Sequence, residues 1–188
     1  MTPELSIRPL TPRFWPALVD LFGPLGACNG CWCMYWRIGA GYRRRPAGAN
    51  RSDFESIVRA GPPPGLLALC GELAVGWVQV TPRSALPRFA WTWRLPAVDA
   101  TPVWSLSCLY VRKGWRRRGV TAALIDAAIA WSRAAGAPAL EAYPLDAALT
   151  PSASGTGFAS TFARAGFVEV ARRVPPRPVM RFSFVASE

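Results

Sequence analysis

Histidine is absent from all 188 residues, which removes imidazole as a general base, as the partner that would activate a cysteine, and as a metal ligand. Lysine is almost absent too: Lys113 stands alone among 22 basic residues, the rest being arginine, against 11 acidic ones for a formal charge of +11. A surplus of that size suits a polyanionic partner. The same arginine, alanine, proline and glycine richness is also the profile of a biased genome, so clustered charge is more informative than the total. No stretch approaches the roughly 18 apolar residues that a bilayer-crossing helix needs, so no membrane partner is expected. The glycine-lysine-serine/threonine ending of a P-loop and the GxGxxG dinucleotide fingerprint are both missing. Five cysteines, Cys28, Cys31, Cys33, Cys70 and Cys108, make an odd set. The amino-terminal MTPELSIRPL has neither a basic leader nor an apolar signal core, so a soluble protein of the reducing cytoplasm, without structural disulfides, is expected. No internal repeat or long linker interrupts the chain, and its length suits one domain over 1–188.

What is present reads as alternating strands and helices. ELSIRPL (4–10) alternates like a strand, and TPRFWPALVDLF (11–22) opens a helix with Thr11 as cap and Pro12 at its first position. NRSDFESIVRAG (50–61) reads as a second helix, with Ser52 and Glu55 spaced as a capping box. LLALCGELAVGWVQVTP carries two β runs about a tight turn near Cys70, Gly71 and Glu72. Residues 83–102 read as an irregular connection. VWSLSCLYV (103–111), apolar on both faces, reads as a central strand. From Gly119, the spacing of Val120, Leu124, Ala127, Ala128 and Trp131 predicts a helix that stops at Gly136. ALEAY (139–143) completes a strand, helix, strand unit. A glycine-rich loop, a short helix over 156–165 and strands over 167–173 and 178–185 follow.

RKGWRRRGVT (112–121) crowds arginine against a helix start, which already presents unpartnered N–H groups and about half a positive charge. A bound phosphate or diphosphate would relieve that conflict, with backbone N–H groups aimed at its oxygens and Gly119 permitting close approach. A solvated basic turn capping a core helix explains the same residues without a ligand.

The flanks favour the first reading. Arg116, Gly119 and Thr121, between the strand LSCLYV and the helix AALIDAAIAWSRAAGA, resemble the phosphate loop of the GNAT superfamily of acyl-CoA-dependent N-acyltransferases, in which an arginine or glutamine is followed after two residues by glycine, any residue, and glycine or alanine. STFARAGFVEVARR is similar to that family's late helix, which ends in a Gly-Phe entering a strand, and the element order agrees over nearly the whole chain. The resemblance implies an α+β, GNAT-like fold with a mixed, twisted central sheet and helices on both faces. It implies acetyl-CoA as cosubstrate, with its diphosphate on Arg116, Arg117, Arg118, Gly119, Val120 and Thr121. It also implies a thioester carbonyl near the backbone N–H groups of Leu109, Tyr110 and Val111, and a small-molecule or peptide amine as acceptor. Two positions depart from the family pattern. Thr121 replaces its final glycine or alanine, and Phe162, which the resemblance places beside the cofactor, stands where many members carry a tyrosine that protonates the departing thiolate.

An amine acceptor must lose a proton before it attacks, since a lysine-type amine has a pKa near 10.4. Without histidine, the candidate bases and acids are Glu72, Asp99, Glu141, Asp146, Glu169, Tyr143 and Cys108. Strand alternation puts Glu141 and Tyr143 on one face, beside the cleft that the resemblance implies, and makes them the preferred catalytic candidates; Glu141 satisfied by a surface arginine is the alternative. Cys108 reads either as a nucleophile near the thioester or as a small core residue. ACNGCWCMYWR (27–37) lacks a fourth ligand for a metal, so none is expected there. The resemblance places this segment beside the acceptor pocket, with Trp32, Tyr35 and Trp36 as walls and Arg37 as an anchor for a carboxylate. Core packing of at least one tryptophan is the alternative.

Direct acyl transfer is thus the leading function, and a catalytically weak acyl-CoA sensor of the same fold is the second. Nucleic-acid binding, suggested by the charge and nine tryptophans, lacks any matching motif and is not expected. A homodimer is compatible with the sequence.

Overall fold

A computed structural model describes residues 4–146 and 153–184. Strand β1 (Ser6–Pro9) leads through a 3-10 turn at Pro12–Phe14 into α1 (Trp15–Phe22), then α2 (Tyr35–Ile38), a 3-10 segment at Gly39–Arg44, and α3 (Ala47–Ala60). Strands β2 (Gly65–Cys70) and β3 (Leu73–Pro82) follow, then α4 (Arg88–Trp91), β4 (Trp104–Val111), α5 (Val120–Ala134) and β5 (Ala139–Ala142). A 3-10 turn at Ala153–Thr156, α6 (Ala159–Arg164), β6 (Val168–Val174) and β7 (Arg177–Ser183) close the chain.

The strands form one seven-stranded sheet in the order β1-β2-β3-β4-β5-β7-β6. Every neighbouring pair is antiparallel except β4 and β5. That one parallel pair follows from the connection, because α5 returns the chain to the end of the sheet at which β4 began. Helices cover both faces, as the resemblance implies. On one face α5 lays Val120, Leu124, Ile125 and Ala128 onto Val78, Val80, Leu106 and Leu109. On the other, Leu18, Phe22, Trp32 and Phe54 pack on Leu67, Leu69 and Trp77.

Gly76 sets how closely α5 approaches: a Cβ there would sit 2.6 Å from Val120 Cγ1 and 2.9 Å from Leu124 Cδ1. The β2–β3 turn falls on Gly71 and Glu72 as the sequence predicts, with Gly71 at φ +59°.

Two helix starts are corrected. Thr11 makes no side-chain cap bond and precedes a 3-10 turn at Pro12–Phe14, so α1 begins only at Trp15. α3 begins at Ala47, so Ser52 and Glu55 lie inside the helix rather than at its cap. Pro46 fixes the entry, and buried Asn50 anchors the first turns by donating to the carbonyls of Gly30 (2.8 Å) and Tyr42 (2.9 Å). Glu55 instead pairs along the helix with Arg59 at 2.6 Å.

Strand β4 carries a bulge that decides which of its side chains meets which layer. Gln79 pairs with Cys108 but Val80 pairs with Leu106, leaving Ser107 as an extra residue. The extra residue inverts the alternation. Trp104 and Leu106 face α5 before it, Leu109 and Val111 face α5 after it, and Cys108 and Tyr110 turn to the opposite, aromatic face.

Candidate functional site

β5 pairs with β4 only from Trp104 to Leu106, against Leu140 to Ala142. Pro144, which has no N–H to donate, follows closely, and the two strands part there. Among the described residues no strand pairs with β4 on its β5 side beyond Leu106, which leaves that edge open. The Arg112 N–H donates to Val75 O at 2.9 Å, toward β3. Strand alternation therefore turns the N–H groups of Leu109 and Val111 the other way, into the gap.

The same edge runs into the arginine turn. Arg112 is anchored by Nε to Ala74 O at 2.8 Å and by an ion pair with Asp20 at 2.5 Å. Arg117 (φ +59°) and Gly119 (φ +79°) then reverse the chain in the left-handed region. Ala123 is the residue that closes the first helical bond, to Gly119 O at 3.0 Å, so the N–H groups of Val120, Thr121 and Ala122 have no acceptor within α5. Among the described residues no side chain caps this end. Arg116, Arg117 and Arg118 are exposed and, among the described residues, none of them is in an ion pair. Arg118 lies over the Trp115 ring at 5.6 Å. The turn thus gathers unpaired positive charge and free N–H groups at the end of an open strand edge, which is the electrostatics an anion requires.

A cavity of about 370 Å³ opens on the aromatic side of the bulge. Trp32, Tyr35, Trp36 and Tyr42 wall it, and Gln79, Ser107 and Cys108 line it from the sheet. Trp36 donates its indole N–H to Ser107 O at 3.0 Å and stacks on Phe89 at 4.4 Å between ring centres. Tyr35 meets Trp36 and Tyr42 edge to face, at 4.8 and 6.2 Å. Trp32 is wholly buried and backs the wall against Phe22 at 5.4 Å.

Three of the four predicted acceptor-side residues therefore stand together. Arg37 does not line the cavity. Its Nη1 donates to Ala85 O at 3.0 Å, and burial lowers its pKa.

The three cysteines of the amino-terminal segment also reach the cavity. Burial pushes the Cys31 thiol up to about 12. A hydrogen bond with Cys108, then burial, raise that of Cys33, whose sulfur accepts from the Trp77 indole at 3.2 Å. Among the described residues no group of three or more metal-ligating side chains is close enough to hold an ion.

Glu141 and Tyr143 share a face as the alternation predicts, but neither lines the cavity. They sit in a buried network behind it. Glu141 accepts from Arg181 Nη2 at 2.7 Å and from the Tyr143 hydroxyl at 3.1 Å, and Arg83 stands 3.8 Å away. Arg83 and Ser105 meet the Tyr143 oxygen at 2.8 and 2.9 Å, and Asp99 pairs with Arg181 at 2.6 Å. Burial, reinforced by the Glu141 charge, raises the tyrosine pKa and keeps the hydroxyl protonated. Phe162 is likewise enclosed, against Phe167 at 5.2 Å and beside Leu109 over Gly157.

Several cavity residues escaped the sequence reading. Gln79 carried a signal, being the one amide in the apolar run LAVGWVQV. Arg94, Thr156 and Arg177 carried none, because three distant segments bring them together.

Among the described residues no helix is long and apolar enough to cross a membrane. The Acetyltransferase (GNAT) family model matches residues 32–154. No curated protein sequence matches the chain. Among the solved structures that share its fold at low identity are the following three. The GNAT domain of PAT from S. lividans is 19% identical, with 96% of this chain and 90% of that one covered at a TM-score of 0.59. PaiA N-acetyltransferase from Thermoplasma acidophilum, solved in complex with coenzyme A, is 13% identical, with 96% and 99% covered at 0.57. An acetyltransferase from Thermus thermophilus is 18% identical, with 97% and 99% covered at 0.56. With a family match over most of its length and a sheet that opens between β4 and β5 above an arginine turn, this chain belongs to the GNAT acetyltransferase family.

Proposed function

We propose that the protein transfers an acetyl group from acetyl-CoA to a primary amine by direct attack within one ternary complex. The observation that carries this reading is the continuity of the open β4 edge with the uncapped start of α5. The N–H groups of Val120, Thr121 and Ala122, with Arg116 to Arg118 around them, receive the diphosphate. The N–H groups of Leu109 and Val111 then face the thioester carbonyl and stabilise the oxyanion as it forms, the largest electrostatic contribution commonly available to acyl transfer. The neutral amine attacks that carbonyl. A C–N bond forms as the C–S bond breaks, coenzyme A leaves as the thiolate, and the proton from nitrogen passes to water in the cavity. Positioning in the 370 Å³ space supplies the remaining rate.

Calorimetric titration with acetyl-CoA tests the binding half. Saturable binding that weakens in Arg116→Ala and Arg118→Ala is expected, and no binding at millimolar ligand would overturn the reading. A second reading, an acyl-CoA-binding module without turnover, is favoured by one observation: Phe162 is enclosed by apolar neighbours and has no hydroxyl to give a thiolate. Thiol release over a broad amine panel separates the two.

A further inference from the structure

The acceptor cavity has a charge pattern of its own. Arg43, Arg94 and Arg177 line it, and among the described residues no aspartate or glutamate does. Residues 147–152, AALTPS, which lie outside the described residues, contain no acidic residue either. An acceptor whose only charges are positive, such as a diamine or polyamine, would enter against three like charges with no counter-ion to meet it. The arginines are not pointing there by default. Arg177 Nη1 is fixed by two bonds, to Tyr143 O at 2.7 Å and Thr156 Oγ1 at 2.9 Å, which set the plane of the guanidinium. No carboxylate among the described residues pairs with it, nor with Arg43 or Arg94. Burial lowers the Arg177 pKa, and the Arg94 charge pushes the same way. A planar, oriented, unpaired guanidinium is the group that receives a carboxylate through two parallel hydrogen bonds.

Gln79 adds a second, independent feature to the same cavity. It is wholly buried; its Nε2 donates to Ser107 Oγ at 2.7 Å, and its Oε1 has no partner among the described residues. A buried acceptor without a donor costs free energy that an incoming N–H would recover. Gln79 pairs across the sheet with Cys108, at the bulge where β4 leaves β5. The cavity therefore carries an unpartnered acceptor on the sheet as well as its three arginines.

We propose that the acceptor is a small amine that also carries a carboxylate, bound with its acid on Arg177 and Arg94 and its amino group toward Gln79 at the opening between β4 and β5. This rests on the acyl-transfer reading and names its substrate class; the bonds made and broken are those given above. Arg94 stands over Trp93 at 5.4 Å at the exposed rim, where it would guide the acid inward before Arg177 holds it. The free amino acids, compared with their decarboxylated amines and with diamines of similar length, are the natural probes.

The experiment measures coenzyme A thiol release for each amino acid and its decarboxylated partner. Release with acids and not with the matched amines or diamines is expected. For the best acid, Arg177→Leu should raise KM about tenfold or more while the KM for acetyl-CoA stays within about twofold, and Arg177→Lys should recover part of the loss. Because Arg177 also ties two segments together, Arg94→Leu, at an exposed position, serves as the second variant and should raise the same KM less. Equal or better turnover of the decarboxylated amines or diamines overturns the proposal, as does an Arg177→Leu effect shared equally by acetyl-CoA. If acetyl-CoA binds but no amine reacts, titration of the coenzyme A-bound protein with N-acetylated amino acids decides: saturable binding lost in Arg177→Leu supports the proposal, and no binding at millimolar ligand overturns it. Loss of acetyl-CoA binding would sink acyl transfer instead, and the same titration on the free protein would still test the arginine site.

Discussion

Trp36 hangs from Ser107: its indole N–H reaches the carbonyl of the one residue that the β-bulge inserts into β4, at 3.0 Å. The wall of the aromatic cavity is thereby fixed to the point where the sheet opens. Trp36→Phe keeps the stacking on Phe89 but removes that bond, so a loss of about 1 kcal/mol is expected from urea denaturation. The KM for the acceptor should rise while acetyl-CoA affinity is retained.

Glu141→Gln separates a structural role from a catalytic one. The side chain is 2% exposed and holds two arginines, one of which also has Asp99. Removing one partner of a buried charge cluster costs on the order of 3–5 kcal/mol. A large fall in the denaturation midpoint is the expected outcome. A variant of unchanged stability with kcat reduced a hundredfold or so would instead make Glu141 the general base.

Gly76→Ala should couple folding to cosubstrate binding. The added methyl would lie 2.6 Å from Val120, the first residue of α5, so the helix must shift or the strand must bend. Overpacking of this kind costs roughly 1–3 kcal/mol. Displacing the helix start should also weaken acetyl-CoA binding in calorimetry, although residue 76 is on another strand.

Cys31 should resist alkylation. With its thiol pushed up to about 12 by burial, the reactive thiolate is scarce at neutral pH. Mass spectrometry after iodoacetamide treatment at pH 8 should find Cys31 unmodified in the native protein and modified after denaturation. Separately, Cys108→Ala should leave the initial rate unchanged if that residue only packs the strand; a collapse in rate with retained acetyl-CoA binding would make it a nucleophile.

Acid should loosen the contact between the 83–102 connection and β7. The hydrogen bond from Arg181 holds the Asp99 carboxyl well below the usual carboxylate range. The folded pKa is lower than the unfolded one, so this stabilisation is complete above about pH 4 and is lost as pH falls toward the depressed value. The drop in urea midpoint between pH 7 and pH 3 should be smaller in Asp99→Asn than in the parent.

The legible parts of this fold were those whose physics is local. The arginine turn announced itself through a conflict between neighbours in sequence, and the β2–β3 hairpin through Gly71 between two apolar runs. Period-two alternation put Glu141 and Tyr143 together correctly, and they are hydrogen-bonded at 3.1 Å. It did not say what lay on that face, which is a buried arginine cluster contributed by residues 83 and 181. Ser52 and Glu55 had the right spacing for a cap, yet Pro46 and Asn50 start the helix earlier through contacts with Gly30 and Tyr42. The cationic side of the cavity was illegible for the same reason: Arg94 and Arg177 become neighbours only once the sheet has formed.

The ladder between β3 and β4 would close without Ser107. Deleting it would leave Cys108 opposite Gln79 and Leu106 opposite Val80, and no other side chain of the strand would change flank. What would vanish is the carbonyl that carries Trp36 and the hydroxyl that occupies the Gln79 amide. The sheet can spare this residue and the aromatic cavity cannot, so the irregularity belongs to the cavity rather than to the scaffold.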